Sequence, residues 1–168
     1  MPRKARRILA GLAVTGAAIA SSLAVASPAQ AATWYEVINY KSGKCISIAG
    51  GGSLSNGARA IQWSCIDGPE QLWRWSGDSL VNGKSGKCLS IEGGGSTADG
   101  ANAIQWTCNG GPEQDWYSSN GYLVNGKSGK VLSVSGGGST ANGAELIQWR
   151  ANGGSEQGWI FNARYIDA

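Results

Sequence analysis

The sequence predicts an all-β fold in which three consecutive repeats share one core around a pseudo-threefold axis. Two series of residues recur at a spacing of 43 positions, namely Gln62, Gln105, Gln148 and Trp73, Trp116, Trp159. The repeats cover about residues 37–79, 80–122 and 123–165. Short β-forming runs alternate with Gly, Asn and Pro turn signals, and no helical periodicity is sustained beyond residue 31. Such regular repetition indicates one supersecondary unit used three times.

Residues 1–31 have the layout of a secretory signal peptide that is removed from the mature protein. A basic segment precedes an apolar run from Ile8 to Ala26, and Ala29-Gln30-Ala31 forms a small-x-small cleavage site. The apolar run is long enough to approach a membrane span, so a retained anchor is the alternative. Cleavage after Ala31 predicts a secreted, extracellular domain of residues 32–168 that does not insert into a membrane.

The charge of this domain argues against nucleic acid as a partner. Four of the 14 basic residues and none of the 11 acidic ones lie in residues 1–31, so residues 32–168 carry a net charge of −1. A near-neutral surface gives no electrostatic reason to bind nucleic acid or anionic lipid. The remaining length suffices for one domain with one core, which we expect to be monomeric.

Histidine is absent from the sequence. Its absence excludes Ser-His-Asp and Cys-His catalysis and the common imidazole metal sites. The remaining catalytic candidates are Lys84 with Glu92, or the pair Glu113 and Asp115. Glycoside hydrolysis needs two carboxylates at a set separation in one cleft, whereas repetition singles out no pair. We therefore expect no enzymatic activity, no metal and no cofactor.

The four cysteines predict two disulfides, each within one repeat. The first repeat holds Cys45 and Cys65, and the second holds Cys88 and Cys108 at equivalent positions. The third repeat lacks both cysteines. This joint absence is expected if each disulfide lies within one repeat, because a bond between repeats would leave one cysteine unpaired. An oxidising compartment preserves such bonds. A thiolate metal site is the alternative, but the close CxxC spacing is absent.

The second repeat shows the predicted strands most clearly. Its β-forming runs are Leu80–Asn82, Cys88–Ile91, Ala103–Cys108 and Trp116–Ser118. It offers six main apolar residues for a core: Leu80, Val81, Leu89, Ile91, Ile104 and Trp116. Because one repeat is too poor in apolar side chains, the three must share a core. A propeller needs at least four blades, so a closed threefold arrangement without free edges is expected.

Three QxW motifs in register give the sequence a resemblance to the ricin-type lectins, whose fold is the β-trefoil. These motifs are Gln71-Leu72-Trp73, Gln114-Asp115-Trp116 and Gln157-Gly158-Trp159. Further matches are SGKCLSI at 85–91, STADG at 96–100 and QWTC at 105–108. The resemblance extends from about Val37 to Phe161. It implies extracellular carbohydrate binding at up to three shallow sites, with each QxW tryptophan buried as part of the core.

The resemblance also indicates which residues form each sugar site. The family's aromatic platform matches Trp63, Trp106 and Trp149, for which a core position is the alternative. Where the family usually has an Asp after the first cysteine, this chain has Ser47, Ser90 and Ser133. Where it usually has an Asn before the QxW glutamine, this chain has Glu70, Glu113 and Glu156. All three repeats depart from the family pattern at both positions in the same way. We therefore interpret the three sites as altered sugar sites in which the carboxylate comes from the side of the QxW motif. Duplication of a non-binding unit is the alternative, and galactose specificity is not carried over.

The order Ile-Gln-Trp leaves the direction of the platform open. Strand side chains alternate, so in Ile104-Gln105-Trp106 the Ile and Trp share one face and Gln points to the other. Either the Trp faces solvent with Ile beside it, or a bulge near the GGGS segment shifts the register.

A second class of function remains open at this stage. The segment Ile66-Asp67-Gly68-Pro69 differs from its counterparts in the other repeats. A protein-binding module such as a protease inhibitor needs only one distinctive loop. Features shared by all three repeats favour the carbohydrate-binding interpretation.

Overall fold

A computed structural model describes residues 32–164, which form twelve strands and six short turns. The predicted signal peptide, residues 1–31, lies outside the described residues. The strands are β1 (Trp34–Asn39), β2 (Cys45–Ile48), β3 (Ala60–Trp63), β4 (Leu72–Ser76), β5 (Ser79–Asn82), β6 (Cys88–Ile91), β7 (Ala103–Trp106), β8 (Trp116–Ser119), β9 (Tyr122–Asn125), β10 (Val131–Val134), β11 (Leu146–Trp149) and β12 (Trp159–Arg164). Within residues 32–164, no helix is long and apolar enough to cross a membrane.

Six short turns complete the three repeats. Four-residue helical turns follow the second strand of each repeat: α1 (Ala49–Gly52), α2 (Glu92–Gly95) and α3 (Ser135–Gly138). Two inner glycines of each turn have left-handed backbone angles, so these turns are not continuous α-helices. Single 3₁₀ turns precede each QxW tryptophan, at Pro69–Gln71, Pro112–Gln114 and Ser155–Gln157.

Half of the strands form a closed layer in which the first and last strands of the described residues pair with each other. Strand β1 pairs with β12 along its whole length and also with β4, while β4 pairs with β5 and β8 with β9. Backbone hydrogen bonds from Trp116 to Asp78 (2.7 Å) and from Trp159 to Gly121 (2.8 Å) link the repeats in between. Closure of this kind leaves few unpaired strand edges.

The other half consists of three hairpins that cap this layer. They are β2–β3, β6–β7 and β10–β11, each paired in an antiparallel register. Single bridges between Arg59 and Ile104, Asn102 and Ile147, and Ile61 and Glu145 join them in a triangle. Three equivalent four-strand repeats, closed below and capped above, make a β-trefoil. The predicted fold class is therefore confirmed.

The repeats share one apolar core, as their composition requires. The QxW tryptophans lie inside it, with Trp73, Trp116 and Trp159 exposed by only 0%, 1% and 3%. Each indole N–H donates to a backbone carbonyl of its own repeat; Trp116 Nε1 bonds Leu89 O at 3.0 Å. The prediction that these tryptophans are core is confirmed. Val81 and Ile104, expected in the same core, are buried outside that cluster, because they alternate with residues that point inward.

Buried glutamines fasten neighbouring repeats to each other. Gln105 is fully buried, and its amide nitrogen donates to Ser53 O (2.6 Å) and Ser55 O (3.0 Å) of the preceding repeat. Its carbonyl oxygen accepts from Ser85 Oγ at 2.7 Å. Gln62 and Gln148 make the equivalent bonds. A buried polar group is tolerated here because every hydrogen-bonding atom has a partner.

The two predicted disulfides are present, and the third repeat, which lacks cysteines, carries an ion cluster next to the missing positions. Cys45 bonds Cys65 and Cys88 bonds Cys108, with no free cysteine in the described chain. In the third repeat, Asp99 from the second repeat pairs with Arg150 (2.6 Å) and Lys130 (3.5 Å). Each of these two basic residues directly precedes a position where a cysteine is missing. The second repeat has a neutral counterpart of the cluster beside its intact disulfide, in which Asn56 Oδ1 accepts from Thr107, so the cluster does not replace the disulfide.

We expect loss of a disulfide to destabilise the fold more than loss of the ion cluster. A covalent loop of about 20 residues contributes roughly 3 kcal/mol, whereas solvent-facing ion pairs contribute little. Urea unfolding of the double variant Cys88→Ser/Cys108→Ser and of Asp99→Asn gives the comparison. Equal shifts of the unfolding midpoint would contradict this expectation.

The ion cluster should make the stability depend on acid pH. Its hydrogen bond from Arg150 lowers the pKa of Asp99, with the charges of Arg150 and Lys130 adding to the effect. A lowered folded-state pKa stabilises the protein above the ordinary aspartate pKa of about 3.9, and this contribution disappears as the pH falls through the folded pKa. The unfolding midpoints of wild type and Asp99→Asn should therefore differ at neutral pH and converge in strong acid. A constant difference across that range would argue against the assignment.

Candidate functional site

Three cavities occur at equivalent places, one in each repeat. Their volumes are about 290, 260 and 320 Å³ in the first, second and third repeats. These cavities are named sites 1, 2 and 3. Site 2 is lined by Ser90, Ile91, Gly93, Gly94, Ile104, Trp106, Asn109 and Glu113. Every candidate sugar-site residue from the sequence lies in the lining of one of the three cavities.

The platform tryptophans face solvent rather than the core. Trp63, Trp106 and Trp149 are exposed by 41%, 42% and 38%. Strand β7 pairs with β6 so that Gln105 lies opposite Leu89, and both point inward. Ile104 and Trp106 consequently share the outer face, and no bulge changes the register. Ile104 forms a wall of the cavity, which explains an apolar residue beside an exposed tryptophan.

Each platform ring is supported by the preceding repeat. A Cβ added at Gly57 would lie 3.8 Å from Cζ3 of Trp106, so the ring rests against this turn. Gly57 has a φ of +81°, which disfavours most other residues at this turn. Beside it, Asn56 Oδ1 accepts from the backbone N–H of Thr107 at 2.9 Å. Gly100 and Gly143 stand in the same relation to Trp149 and Trp63.

The serines lie across the hairpin from the isoleucines that line each cavity. Ser90 pairs with Ile104, and its equivalents Ser47 and Ser133 pair with Ile61 and Ile147. All three serines are nearly buried yet line their cavities. A serine hydroxyl is smaller than the carboxylate of an aspartate and can both donate and accept a hydrogen bond.

The glutamates bring a carboxylate to the opposite side of each cavity. In site 2, the side chain of Glu113 folds over Gly111, where an added Cβ would lie 2.5 Å from Oε1. Only a glycine leaves room for this carboxylate, although its own φ of −73° suits any residue. Glu70 and Glu156 lie over Gly68 and Gly154 in the same way. No side chain of residues 32–164 donates a hydrogen bond to the carboxylate of Glu70 or Glu113, whereas Glu156 accepts a long bond of 3.4 Å from Asn152.

A lysine from the following repeat bonds the glycine turn that lines each site. Lys84 Nζ donates to Gly51 O of the α1 turn at 2.6 Å, and a Cβ at Gly52 would lie 2.9 Å from that nitrogen. Lys127 and Lys41 bond Gly94 O (2.8 Å) and Gly137 O (3.2 Å) in the same manner. Each site therefore receives residues from all three repeats: its own lining, a support for the platform and a lysine at the glycine turn.

The residues predicted from the sequence include the tryptophan, the serine and the glutamate of each cavity lining, but not the rest of that lining. The missed residues of site 2 are Ile91, Ile104, the glycine turn, Asn109 and the glycine beneath Glu113. These residues recur at the 43-residue spacing, but residues with a purely structural role recur in the same way. Only the folded arrangement distinguishes residues that line a cavity from purely structural ones.

One acidic and cysteine-rich group also occurs among the described residues. Glu36, Cys45 and Cys65 place a ligand-type atom each within 4.8 Å of the others. Both sulfurs belong to a disulfide, so they do not offer thiolates to a metal. Glu36 instead accepts from Arg164 Nε at 2.9 Å, between the first and last strands.

The fold is a β-trefoil. Each of its three cavities is lined by an exposed tryptophan, a serine and a glutamate, and therefore has the character of a ligand-binding cleft. The sequence model of the ricin-type beta-trefoil lectin domain matches residues 33–159. This chain belongs to the ricin-type beta-trefoil lectin family.

Solved structures show the same relationship. The designed threefold-symmetric protein ThreeFoil is 38% identical over 77% of this chain and 97% of its own, with a TM-score of 0.70. An exo-beta-1,3-galactanase from Clostridium thermocellum is 32% identical over 77% of this chain but only 30% of its own, with a TM-score of 0.69. The Macrolepiota procera ricin B-like lectin, solved with lactose, is 23% identical over 81% of this chain and 99% of its own, with a TM-score of 0.65. No curated protein matches the chain.

Proposed function

We propose that this protein is a secreted, non-catalytic carbohydrate-binding protein with up to three equivalent shallow sites. The observation that carries the proposal is the recurrence of one arrangement in all three repeats: an exposed Trp, a Ser hydroxyl and a Glu carboxylate around a single cavity. Lectin family membership supports a sugar as the ligand. The near-neutral domain has no charge pattern that favours nucleic acid.

The chemistry of site 2 suits a sugar ring. The ring's apolar C–H face packs against the indole of Trp106, which leaves its hydroxyls directed toward the rim. Glu113 has two oxygens that accept hydrogen bonds from those hydroxyls, and Ser90 adds a group that both donates and accepts. Few, well-placed polar groups around an apolar floor are typical of small-ligand sites.

The combination of Ser and Glu forms an altered site rather than a lost one. The serine leaves space where the family's aspartate would stand, and the glutamate supplies a carboxylate from the facing 3₁₀ turn. A glycine beneath each glutamate leaves room for that carboxylate in all three repeats. Repeated preservation of this packing supports a function that uses the carboxylate.

Several further properties belong to the same proposal. Two disulfides in the described chain are compatible with an extracellular location, and the expected signal peptide provides the export route. We propose that the domain acts as a monomer. Repetition of the sites favours binding over catalysis, because no single centre differs from its copies in the manner of an active site.

A glycan array and a column of immobilised polysaccharide test the proposal on the purified protein. Wild type should bind a defined subset of glycans and be retarded on the matching polysaccharide. Tyr117→Ala is the matched control, because Tyr117 is an exposed aromatic residue outside the three cavities. If wild type binds no glycan across a broad array, the proposal fails.

A protein-binding role through residues 66–69 is the second candidate. One observation favours it: Ile66 is exposed, and Asp67 has a left-handed φ of 57° where the other repeats have glycine. This loop therefore differs from its two copies in side-chain chemistry, while its backbone keeps the left-handed conformation of Gly110 and Gly153. Absence of glycan binding would make a protein partner, such as a protease, the first function to test.

We expect Gly111→Ala to weaken site 2 without affecting the fold. The added methyl group displaces the Glu113 carboxylate, while the backbone angle accepts alanine. Loss of a charge-assisted hydrogen bond should reduce affinity about tenfold. Calorimetric titration in a Trp63→Ala/Trp149→Ala background, which leaves only site 2, provides the measurement.

A double-mutant comparison separates displacement of the carboxylate from other effects of Gly111→Ala. Glu113→Gln alone should weaken site 2 by a similar factor, because a neutral amide accepts weaker bonds than a carboxylate. Combining both changes should add little further loss, since they remove the same interaction. Fully additive losses would contradict the positioning role of Gly111.

A further inference from the structure

Sites 1, 2 and 3 differ in chemical character at one of their shared lining positions. Seven of the eight shared positions keep the same kind of residue: serine, a branched aliphatic, two glycines, isoleucine, tryptophan and glutamate. The eighth is Ile66 in site 1 but Asn109 in site 2 and Asn152 in site 3. An apolar side chain thus replaces an amide at one wall of site 1.

The backbone holds these three residues in equivalent positions. The N–H of Ile66 donates to Gln71 Oε1 at 2.8 Å, and the same bond at Asn109 and Asn152 measures 2.9 Å. The difference between the sites is therefore one of side-chain chemistry and not of backbone placement.

The loop of site 1 is also fastened from outside the cavity. Asp67, the residue after Ile66, has a left-handed φ of 57°, which is uncommon for a residue other than glycine. Its carboxylate pairs with Arg164 of the last strand, and the same guanidinium binds the buried Glu36 at 2.9 Å. This chain of contacts secures the loop while Ile66, exposed by 58%, borders the cavity.

The two kinds of wall offer opposite interactions to a ligand. Asn109 Oδ1 accepts from Gly111 N at 2.8 Å, which leaves its Nδ2 as a donor at the rim of site 2. Asn152 Oδ1 accepts from Gly154 N at 2.7 Å, and one hydrogen of its Nδ2 makes the long bond to Glu156 Oε1 (3.4 Å), which leaves the other for a ligand. Ile66 has no polar atom in its side chain, so a hydroxyl placed against it gains no hydrogen bond. A methyl group placed there is instead removed from water between Ile66 and the apolar lining of site 1.

Building on the proposed carbohydrate function, we propose that site 1 selects sugars bearing a methyl-terminated substituent, such as an acetamido group or a 6-deoxy carbon. Sites 2 and 3 select hydroxyl groups at the same wall. Ile66 is then the specificity-determining residue, and the protein joins two classes of sugar through one fold. Burial of one methyl group favours the substituted sugar about fourfold.

Titrations followed through the tryptophan indole N–H signals measure each site separately. ¹⁵N-labelled protein is titrated with matched pairs: N-acetylglucosamine with glucose, N-acetylgalactosamine with galactose, and D-fucose with D-galactose. The Trp63, Trp106 and Trp149 signals are assigned from single alanine variants. For each pair, the dissociation constant of the unsubstituted sugar is divided by that of the methyl-bearing sugar. We expect this ratio to be about fourfold larger at Trp63 than at Trp106 for an acetamido or a 6-deoxy pair.

Exchanging the wall residues provides the decisive variants. Ile66→Asn should reduce the ratio at Trp63 to that at Trp106, and Asn109→Ile should raise the ratio at Trp106. Asp67→Gly is the control for loop shape, and it should leave the preference of site 1 in place. Both exchanged positions are exposed, so folding is retained and the dispersed spectrum verifies it.

The outcomes separate this inference from the proposed function. If the three signals respond to sugars with equal ratios, or the ratio at Trp63 ignores Ile66→Asn, the specificity inference is overturned while carbohydrate binding stands. If no platform signal responds to any of the sugars and the array is also empty, carbohydrate binding fails and the inference fails with it.

Discussion

Replacing Trp116 by alanine destabilises the protein far more than replacing Trp106, although both belong to repeated tryptophan series. Trp116 is almost fully buried, and its indole N–H bonds Leu89 O, so Trp116→Ala leaves a large cavity and an unpaired carbonyl. Such a change typically costs roughly 3–5 kcal/mol. Trp106 is 42% exposed and borders a cleft, so its removal costs much less. Guanidinium unfolding monitored by circular dichroism measures both.

The third repeat supplies a matched pair for the same comparison. Trp159→Ala should behave like Trp116→Ala, and Trp149→Ala like Trp106→Ala, because the burial of each is equivalent. Since the third repeat has no disulfide, agreement between the repeats would show that burial decides the effect. Equal destabilisation by the two series would refute the division into core and platform.

We expect replacement of all three platform tryptophans to remove binding to an immobilised polysaccharide, by more than the three single replacements predict. Repeated weak sites act together on a polymer, and linkage raises the overall affinity by about 10²–10⁴ without new contacts. Trp106→Ala alone should weaken retention, because two sites remain. The triple variant Trp63→Ala/Trp106→Ala/Trp149→Ala loses every aromatic floor and should elute like an unbound protein.

Controls separate loss of binding from loss of fold in this experiment. Circular dichroism of the triple variant should retain the β-sheet signal, because none of the three rings belongs to the core cluster. Tyr117→Ala removes an exposed ring elsewhere and should leave retention unchanged. If the folded triple variant is retained as strongly as wild type, the platform tryptophans do not take part in binding.

Sequence patterns predicted most of the fold but only half of each site. Gln71-Leu72-Trp73 and its copies marked both the repeat and the buried tryptophan, because core residues are constrained to recur at each repeat. The joint loss of cysteines at Val131 and Ala151 predicted pairing within repeats. By contrast, Ile104 was assigned to the core and lies in a cavity wall, since its apolar character does not show which face of the strand it occupies.

The sequence by itself determined the period, the shared core, the two disulfides and the alternation of Gln105 with Trp106, because these depend on spacing along one chain. Only the tertiary structure decided that Trp106 faces outward, that Gly57 of one repeat supports the ring of the next, and that Lys127 bonds the glycine turn of site 2. The physical reason is that each cleft is lined by one repeat, whereas the turn that supports its tryptophan belongs to the preceding repeat. The shape of the cleft depends on cross-strand register and on glycine turns distant in sequence, which local patterns do not specify.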